Sequence, residues 1–413
     1  MTERTSKYGT NRNQDLRGVE ALNDHTILIK NVRLYTETGV IEKGCLLVKG
    51  KTINAIEKGN RLQEAFPKEL TIDGDGLQAI PGFIDGHIHG THGADVMDAT
   101  PVALERIARR LPEEGTTSFL ATTITQSTEN IERALANVAH YSNDPISAEL
   151  LGVHLEGPFI EKNKAGAQPV EFVELPSIEL FNKWQVISGN KIKTITLAPE
   201  KDKDHKLITN LSIQGINTSA GHTGAGFAEM KKAVEAGVNQ VTHICNAMTG
   251  LHHRDIGVVG AAFLLKELRS ELIADGIHVS PEMIEVIYQN IGPDRLILIT
   301  DAIRAKGLAP GHYDLGGQRV TVDEHKAELA DGTLAGSLLR MIDAVKNIRQ
   351  ITGASVEDLI KIASYNPAKQ LKLDDRKGSL AVEKDADILL VDEDLNIHYT
   401  ICQGLIAYRR REE

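Results

Sequence analysis

The sequence predicts an α/β protein in which a (β/α)8 TIM-like barrel carries a small β-sandwich domain built from both chain ends. Two observations support this fold class. Over residues 81–373, eight short apolar runs alternate with segments whose apolar residues recur at the period of a helix. On either side of this region, short segments alternate apolar and polar residues between turn-forming glycines, as half-buried strands do. A chain of 413 residues is long enough for both parts.

These patterns divide the chain into three parts. Residues 1–23 are polar and show no hydrophobic period, so we expect a flexible N-terminal extension. Residues 24–80 and 374–413 are expected to form the small β-sandwich domain, and residues 81–373 the barrel. The eight predicted barrel strands lie within IPGFIDGHIH, TTSFLATTI, AELLGVHLE, IKTITLAP, INTSAGH, NQVTHIC, ELIADG and RLILITDA.

An open, doubly wound sheet is the other common way to arrange alternating strands and helices. Many such sheets carry a G-x-G-x-x-G turn after the first strand, where it binds a dinucleotide. The segment GHTGAG (221–226) is only superficially similar to this motif. The barrel is therefore the favoured arrangement.

The composition argues against several classes of function. Lys and Arg number 46 against 57 Asp and Glu, a formal charge of −11, whereas nucleic-acid-binding domains are usually basic. We therefore expect no nucleic-acid partner and interpret Arg409–Arg411 as a solvated tail. The chain has three cysteines, no secretory h-region and no apolar run of about 18 residues. These features predict a cytoplasmic protein with no membrane partner.

Unusual polar residues recur where the predicted barrel strands end. In this fold the carboxyl ends of all eight strands meet at one face, which holds the active site. A spacing of two residues places His87 and His89 on the same side of a strand. A single histidine is more often a hydrogen-bonded core or surface group, so the recurrence at equivalent places carries the prediction. The residues expected at this rim are His87, His89, Glu156, His222, His243, His278 and Asp301.

Imidazole and carboxylate groups at one rim predict a divalent-metal cofactor of one or two ions, with Zn, Fe, Mn and Co all compatible. A bound metal lowers the pKa of water toward neutrality, and Asp301 could then take the proton and return it to the leaving group. The implied reaction class is metal-assisted hydrolysis. The expected ligands are His87 and His89 for one ion, His222 and His243 for the other, Glu156 as a bridge, and Asp301 on the first ion.

Several motifs together resemble the N-acetylglucosamine-6-phosphate deacetylase family of the amidohydrolase superfamily. The resemblance covers about residues 26–408. The H-x-H pair and the last aspartate are common to the superfamily, whereas HLEGPF, CNAM and ADGTLAGS are more specific to this family. The motifs are PGFIDGHIHG (81–90), HLEGPF (154–159), SAGHT (219–223), THICNAM (242–248), ADGIHV (274–279), ITDA (299–302) and LADGTLAGS (329–337).

The resemblance implies hydrolysis of an acetamido group to acetate and glucosamine 6-phosphate. It implies that Asp301 is the catalytic acid–base and that Glu156, His222 and His243 are the principal metal ligands. The pair His87 and His89 matches family members that hold a second metal, which favours a binuclear site.

The same resemblance assigns the residues that bind substrate. Asn246 and Ala247 match a segment that contacts the sugar phosphate, and His278 matches a contact to a substrate hydroxyl. Arg254 matches an arginine that reaches the phosphate from a neighbouring subunit, which implies a homodimer. The loop Leu334, Ala335 and Gly336 resembles the one that lines the acetyl methyl group.

Two positions differ from the family pattern. The family often reads R-E-P-G after the phosphate arginine, where this chain has Asp255, Ile256 and Gly257. Many members carry a histidine where this chain has Gln168. That histidine polarises the acetyl carbonyl, and the amide of Gln168 could donate an N–H in its place.

Three functions remain as alternatives at this point. The favoured one is deacetylation of N-acetylglucosamine 6-phosphate. A second is deacetylation of N-acetylgalactosamine 6-phosphate or hydrolysis of another amide, such as a cyclic amide, by a related amidohydrolase. A cyclic-amide hydrolase commonly bridges its metals with a carboxylated lysine, and Glu156 takes that role here. A barrel without catalysis is disfavoured, because the chain keeps every expected ligand and the acid–base residue.

Overall fold

The computed structural model describes residues 25–59, 61–66 and 70–411. The extension expected over residues 1–23 lies outside these residues. Among the described residues, no helix has both the length and the apolar character needed to cross a membrane.

Eight parallel strands form the predicted barrel, and each strand bonds to the next one along the chain. The ring closes between the last strand and the first, where the Asp301 N–H donates to the His87 carbonyl over 2.8 Å and Ile88 pairs with Ala302. Each of the eight apolar runs contributes one strand. In chain order, barrel strands 1 to 8 are Phe83–Ile88, Thr116–Thr123, Glu149–Glu156, Ile192–Leu197, Asn217–Ala220, Gln240–Val241, Arg269–Ile273 and Leu296–Ile299.

Eight helices follow the eight strands and pack on them in one large apolar core. In the helix Thr128–His140 the buried residues Ile131, Leu135 and Val138 are three or four positions apart, which gives one apolar face. The Ser280 hydroxyl caps another helix by accepting the Met283 N–H. The eight helices are Pro101–Arg110, Thr128–His140, Ile178–Ile187, Lys206–Gln214, Phe227–Ala236, Gly257–Leu264, Pro281–Ile291 and Met341–Thr352.

Shorter helical segments occur in the connections and after the barrel. The short α-helices are Arg61–Ala65, Val356–Ile360 and Asn366–Gln370, and Lys361–Tyr365 forms a π-helix between the last two. The 3₁₀ turns are Val96–Asp98, Leu111–Glu114, Lys162–Lys164, Val170–Phe172, Pro199–Lys201 and Lys203–His205.

The two chain ends form a separate eight-stranded sheet, as the sequence predicts. The pairing is mixed: the first three strands pair antiparallel, whereas two later strands pair parallel. Leu70–Asp73 and Gln78–Pro81 both run parallel to Thr26–Thr36. The first predicted barrel run divides here, because Pro81 pairs with Ile388 in this sheet. The other strands are Gly39–Lys49, Thr52–Lys58, Ile388–Val391, Ile397–Cys402 and Leu405–Arg409.

Two small sheets lie in the connections at the carboxyl ends of the barrel strands. One pairs Gly90–Thr91 with Ala94–Asp95, directly after strand 1. The other contains Gly311–Leu315, Gln318–Val322 and Ala327–Glu328, after strand 8. The Gln318 side chain donates to the Ala167 carbonyl over 2.6 Å. This bond ties the strand 8 connection to the strand 3 connection across the barrel mouth.

Candidate metal centre and active site

Five of the predicted rim residues lie at or just beyond the ends of their barrel strands, while His87 lies inside strand 1 and His278 five residues beyond strand 7. Glu156 is the last residue of strand 3, whereas His222, His243 and Asp301 each lie two residues beyond the end of their strand. These three residues have φ angles of 47°, 29° and 50°. Residues other than glycine uncommonly adopt this left-handed region, and such backbone strain concentrates at functional sites.

The carboxylate of Glu156 lies close to the imidazole rings of four histidines. Glu156 Oε1 lies 3.2 Å from His222 Nε2, 3.3 Å from His243 Nε2 and 3.4 Å from His87 Nε2. Its other oxygen, Oε2, lies 3.3 Å from His89 Nε2. Glu156 thus contacts both histidine pairs, which is the position expected of a bridging ligand.

Asp301 completes the group on the other side. Its Oδ1 lies 3.2 Å from His89 Nε2 and 3.4 Å from His87 Nε2. The buried donor atoms form three sets in which every atom lies within 4.8 Å of the others, and two of these sets consist of predicted rim residues. One set is His87, His89 and Asp301, and the other is Glu156, His222 and His243.

The hydrogen bonds of these rings test whether the residues fit a cation. His222 Nδ1 lies 2.9 Å from the Lys164 carbonyl, so it carries the proton and Nε2 presents a lone pair. That lone pair faces Glu156 Oε1 and lies 3.1 Å from His243 Nε2. Electron-rich atoms this close in a buried site repel one another unless a cation or protons lie among them. The donor set therefore fits a divalent metal with nitrogen and oxygen ligands.

The buried charges of this group shift one another's pKa values. Burial alone would lower the pKa of His89, but Asp301 and Glu156 raise it to about 9. Burial alone would raise the pKa of the Asp301 carboxyl, but His87 and His89 lower it to about 2. Glu156 is also buried, and the surrounding histidines hold the pKa of its carboxyl well below the ordinary value. The carboxylates thus remain charged at neutral pH.

Three buried residues beneath the rim are missed by the sequence argument. Glu271 Oε2 lies 3.1 Å from His87 Nδ1, and the His154 ring contacts the His87 ring with centroids 4.5 Å apart. Asp85 accepts the Thr300 hydroxyl over 2.5 Å and the His87 N–H over 3.3 Å. His154 could have been suspected from the two-residue alternation, since it shares a strand face with Glu156.

A cavity of about 250 Å³ opens onto the metal-binding group. A larger cavity of about 660 Å³ lies between Tyr35 and Tyr365 and shares none of these residues. The chemistry therefore points to the smaller cavity as the candidate active site. Of the residues predicted to bind substrate, its lining includes Gln168, Asn246, Ala247, His278, Leu334 and Gly336.

Gln168 bridges the cavity wall and the central carboxylate. Its Oε1 accepts the Thr125 N–H over 2.7 Å, which fixes the orientation of the amide. Its Nε2 donates one hydrogen to Glu156 Oε2 over 2.7 Å. The second hydrogen on Nε2 remains available to a ligand in the cavity.

His278 is held in place by a charged partner from its own loop. Its Nδ1 lies 2.6 Å from Asp275 Oδ2. Burial would lower the pKa of His278, but Asp275 outweighs it and raises that pKa. The other ring nitrogen is left for the cavity that His278 lines.

Two predicted substrate residues lie outside the cavity of the single chain. Arg254 is exposed in the turn between His252 and Asp255, and its Nη1 lies 2.8 Å from His253 Nε2. The Ala335 side chain is fully buried, and its N–H donates to Ala327. Ala335 therefore supports the loop from beneath, while Leu334 and Gly336 face the cavity.

Comparisons with known proteins show the family of this chain. The Amidohydrolase family matches residues 79–407. An N-acetylglucosamine-6-phosphate deacetylase of Bacillus subtilis (strain 168) is 46% identical over 391 residues, covering 94% of this chain and 98% of the relative. An N-acetylgalactosamine-6-phosphate deacetylase of Escherichia coli O157:H7 is 35% identical, covering 92% of this chain and 99% of the relative.

The fold has a close counterpart among solved structures. The crystal structure of N-acetylglucosamine-6-phosphate deacetylase from Thermotoga maritima matches with a TM-score of 0.83 and 36% identity, covering 93% of this chain and all of that one. Both the sequence and the structure are thus matched along nearly the whole length. The chain belongs to the amidohydrolase family and, within it, to the N-acetylglucosamine-6-phosphate deacetylases.

Proposed function

We propose that this chain hydrolyses the acetamido group of N-acetyl-D-glucosamine 6-phosphate to acetate and D-glucosamine 6-phosphate, a step of amino-sugar catabolism or recycling. The observation that carries the proposal is the convergence of His89, His222, His243, Glu156 and Asp301 on one cavity at the barrel rim, with His87 buried directly behind them. The relatives support this substrate, since the chain is more similar to the gluco than to the galacto enzyme.

The metal would be held by the two donor sets described above, as one or two ions of Zn, Fe, Mn or Co. A bound divalent ion polarises an acyl oxygen and lowers the pKa of a water molecule. Asp301 would act as the general base that accepts a proton from water at its carboxylate. The resulting carboxylic acid would then donate this proton to the departing amine nitrogen.

The cavity residues would orient the sugar and its acetyl group. The free N–H of Gln168 is a donor for the acetyl oxygen. Leu334 and Gly336 would contact the acetyl methyl group with the support of Ala335, and His278 would bind a sugar hydroxyl. Asn246 and Ala247, which line the same cavity, would hold the phosphate end.

The phosphate would also need a cation, because the chain as a whole is acidic. We propose that Arg254 of a second subunit provides it in a homodimer. The exposed position of Arg254, outside the cavity of its own chain, is compatible with a contact in trans.

The test is acetate release from N-acetylglucosamine 6-phosphate by metal-depleted and metal-restored protein. Strong release that depends on restored metal is expected. N-acetylgalactosamine 6-phosphate and unphosphorylated N-acetylglucosamine serve as the comparison substrates, and both should have lower kcat/KM. No release from any of the three with any divalent metal would contradict the proposal, and faster turnover of the galacto substrate would reassign the epimer.

The location of the enzyme is part of the same proposal. All three cysteines are free thiols: Cys45, Cys245 and Cys402. Thiols without disulfides are typical of the cytoplasm. We accordingly place the proposed reaction there, with no nucleic-acid or membrane partner.

A further inference from the structure

Glu271 contacts the metal-binding group from beneath without facing the cavity. This glutamate lies on barrel strand 7 and is almost completely buried. Its Oε2 lies 3.1 Å from Nδ1 of His87, while Nε2 of the same ring points toward Glu156 and Asp301. A carboxylate at Nδ1 favours the proton on that nitrogen and so leaves Nε2 free to bind a metal.

Glu271 is itself the end of a buried chain of amide hydrogen bonds. Its Oε1 accepts the Gln240 side-chain N–H over 2.6 Å. The Gln240 carbonyl accepts from Asn217 over 2.9 Å, and the Asn217 carbonyl accepts from Gln370. The Gln370 carbonyl in turn accepts from Arg269 Nη1 over 2.6 Å. Arg269, Gln240 and Asn217 are each the first residue of a barrel strand, so this series of hydrogen bonds starts at the face opposite the active site.

The direction of every bond in this chain is determined by its two ends. Arg269 can only donate and Glu271, as a carboxylate, can only accept. Each amide between them has one accepting and one donating end, so all must point the same way. We propose that this series of residues, the amide relay (Arg269, Gln370, Asn217, Gln240 and Glu271), fixes the tautomer of His87 and so positions it as a ligand.

The proposal rests on the proposed function only in assuming that an ion lies at His87, His89 and Asp301 (the first ion). Glu271 and the amides are positioning residues, because none of them lines the substrate cavity. The second set, Glu156, His222 and His243, contacts the relay only through its backbone, since the His243 N–H donates to Glu271 Oε2 over 3.4 Å. Among the described residues, no side chain of this set bonds to the relay. The relay should therefore affect the two ions unequally.

Glu271→Gln reverses one bond in the relay while keeping the size of the side chain. If the new amide accepts from Gln240, its N–H₂ faces His87 Nδ1 and moves the ring proton to Nε2, where it blocks the metal. If the new amide instead accepts from His87, two N–H₂ groups meet at Gln240. The first arrangement gives His87 the tautomer that cannot bind a metal through Nε2, and the second breaks a buried hydrogen bond.

A compensating double substitution restores the directions. In Gln240→Glu/Glu271→Gln, residue 240 accepts from both Asn217 and the new amide, and that amide accepts from His87 Nδ1. Every donor then has an acceptor. The carboxylate has moved one residue along the relay, but His87 keeps its proton on Nδ1.

The experiment measures Zn²⁺ affinity by competition of the metal-free proteins with a chromophoric chelator. Two zinc ions bound with different affinities give two affinity classes. The class that is lost in His87→Ala is assigned to the first ion. Glu271→Gln should weaken this class about 10- to 100-fold and leave the other class unchanged. The double variant should recover most of the loss. Glu149→Gln, at a partly exposed carboxylate on strand 3 with no contact to the relay among the described residues, is the control and should change neither class.

Several outcomes would overturn the relay. Glu271→Gln would contradict the proposal if it weakened both affinity classes equally or weakened neither. A folded double variant that recovers no affinity would also contradict it, as would a wild-type protein that lacks the affinity class lost in His87→Ala. Acetate release by the wild type is scored separately. If the wild type releases no acetate but the zinc affinities change as expected, the proposed substrate is refuted and the proposed role of the relay stands.

A measurement on the wild type covers the case in which the variants do not fold. In the zinc-loaded protein with ¹⁵N-labelled histidine, His87 should carry its proton on Nδ1, with its signals assigned by their absence in His87→Ala. A proton on Nε2 would overturn the proposal.

Discussion

Asp301 combines strain, burial and charge in one residue. Its φ of 50° aims the carboxylate at His87 and His89, and these rings lower its pKa to about 2. We expect Asp301→Asn to reduce kcat about 10²- to 10⁴-fold, because an amide cannot accept and return the proton. Stopped acetate assays at saturating substrate measure the loss. The ion at Glu156, His222 and His243 should remain bound, which metal analysis checks, and a near-normal kcat would refute the assigned role.

Arg254 differs from the other site residues in being exposed. If its guanidinium binds the phosphate across a dimer, Arg254→Ala removes a charged hydrogen bond worth about 1.5–3 kcal/mol. The KM for N-acetylglucosamine 6-phosphate should then rise about 10- to 100-fold, with little change for unphosphorylated N-acetylglucosamine. Arg133→Ala, an exposed arginine on an outer helix, is the control. Equal changes for both sugars would exclude the phosphate contact.

At the scale of elements, the loop after strand 8 shows why small residues are needed beside the metal centre. Gly336 has a φ of 61°, and a Cβ there would lie 2.5 Å from Ile303 Cγ2 and 2.9 Å from the Asp301 carbonyl oxygen. Gly332 in the same loop has a φ of 86° but no atom within 4 Å of the equivalent point. Comparing substitutions at the two glycines therefore distinguishes the cost of a strained backbone from the cost of a close atomic contact.

We expect Gly332→Ala to lower the free energy of unfolding by about 1–2 kcal/mol, the strain of the left-handed backbone alone. Gly336→Ala should cost more and should also lower kcat, since the added methyl displaces the Asp301 backbone. Thermal denaturation and acetate release measured on both variants distinguish these effects. A Gly336→Ala enzyme with the stability and kcat of Gly332→Ala would show that the close approach is unimportant.

At the scale of the whole molecule, a buried ion cluster joins the barrel to the C-terminal segment. The Lys377 ammonium lies 2.8 Å from Glu149 on strand 3 and 2.5 Å from Asp387 in the segment that leads into the small sheet. Arg376 contacts Glu149 over 2.9 Å. Burial alone would raise the pKa of Glu149, but Lys377 and Arg376 lower it below its ordinary value of 4.5.

A depressed carboxyl pKa stabilises the folded state above the unfolded pKa, and this stabilisation is lost as the pH falls toward the folded value. We expect Glu149→Gln to lower the free energy of unfolding by about 3 kcal/mol at pH 7. The difference from wild type should shrink below about pH 4.5. Urea denaturation at several pH values measures it, with the exposed Glu105→Gln as control. A pH-independent difference would contradict the ion-pair explanation.

Much of this molecule follows from local sequence patterns. Period-two and helical patterns are properties of neighbouring residues, so they predict all eight barrel strands and the helices such as Thr128–His140. Because the fold gathers every strand end at one face, the positions of His222, His243 and Asp301 after their strands also predict that they meet. The sequence did not predict the mixed pairing of the small sheet, because the direction of pairing depends on which strands become neighbours in the folded molecule.

The tertiary structure alone decided what lies behind and around the rim. Glu271 meets His87 from 184 residues away, and Gln168 turns its amide toward Glu156 only because the Thr125 N–H holds its carbonyl. Such contacts depend on barrel register and on the fixed direction of each hydrogen bond. The sequence by itself therefore determined the barrel, its family and the polar residues that meet at the strand ends. Only the assembled barrel decided which buried partners contact those residues, because the partners come from strands far apart along the chain.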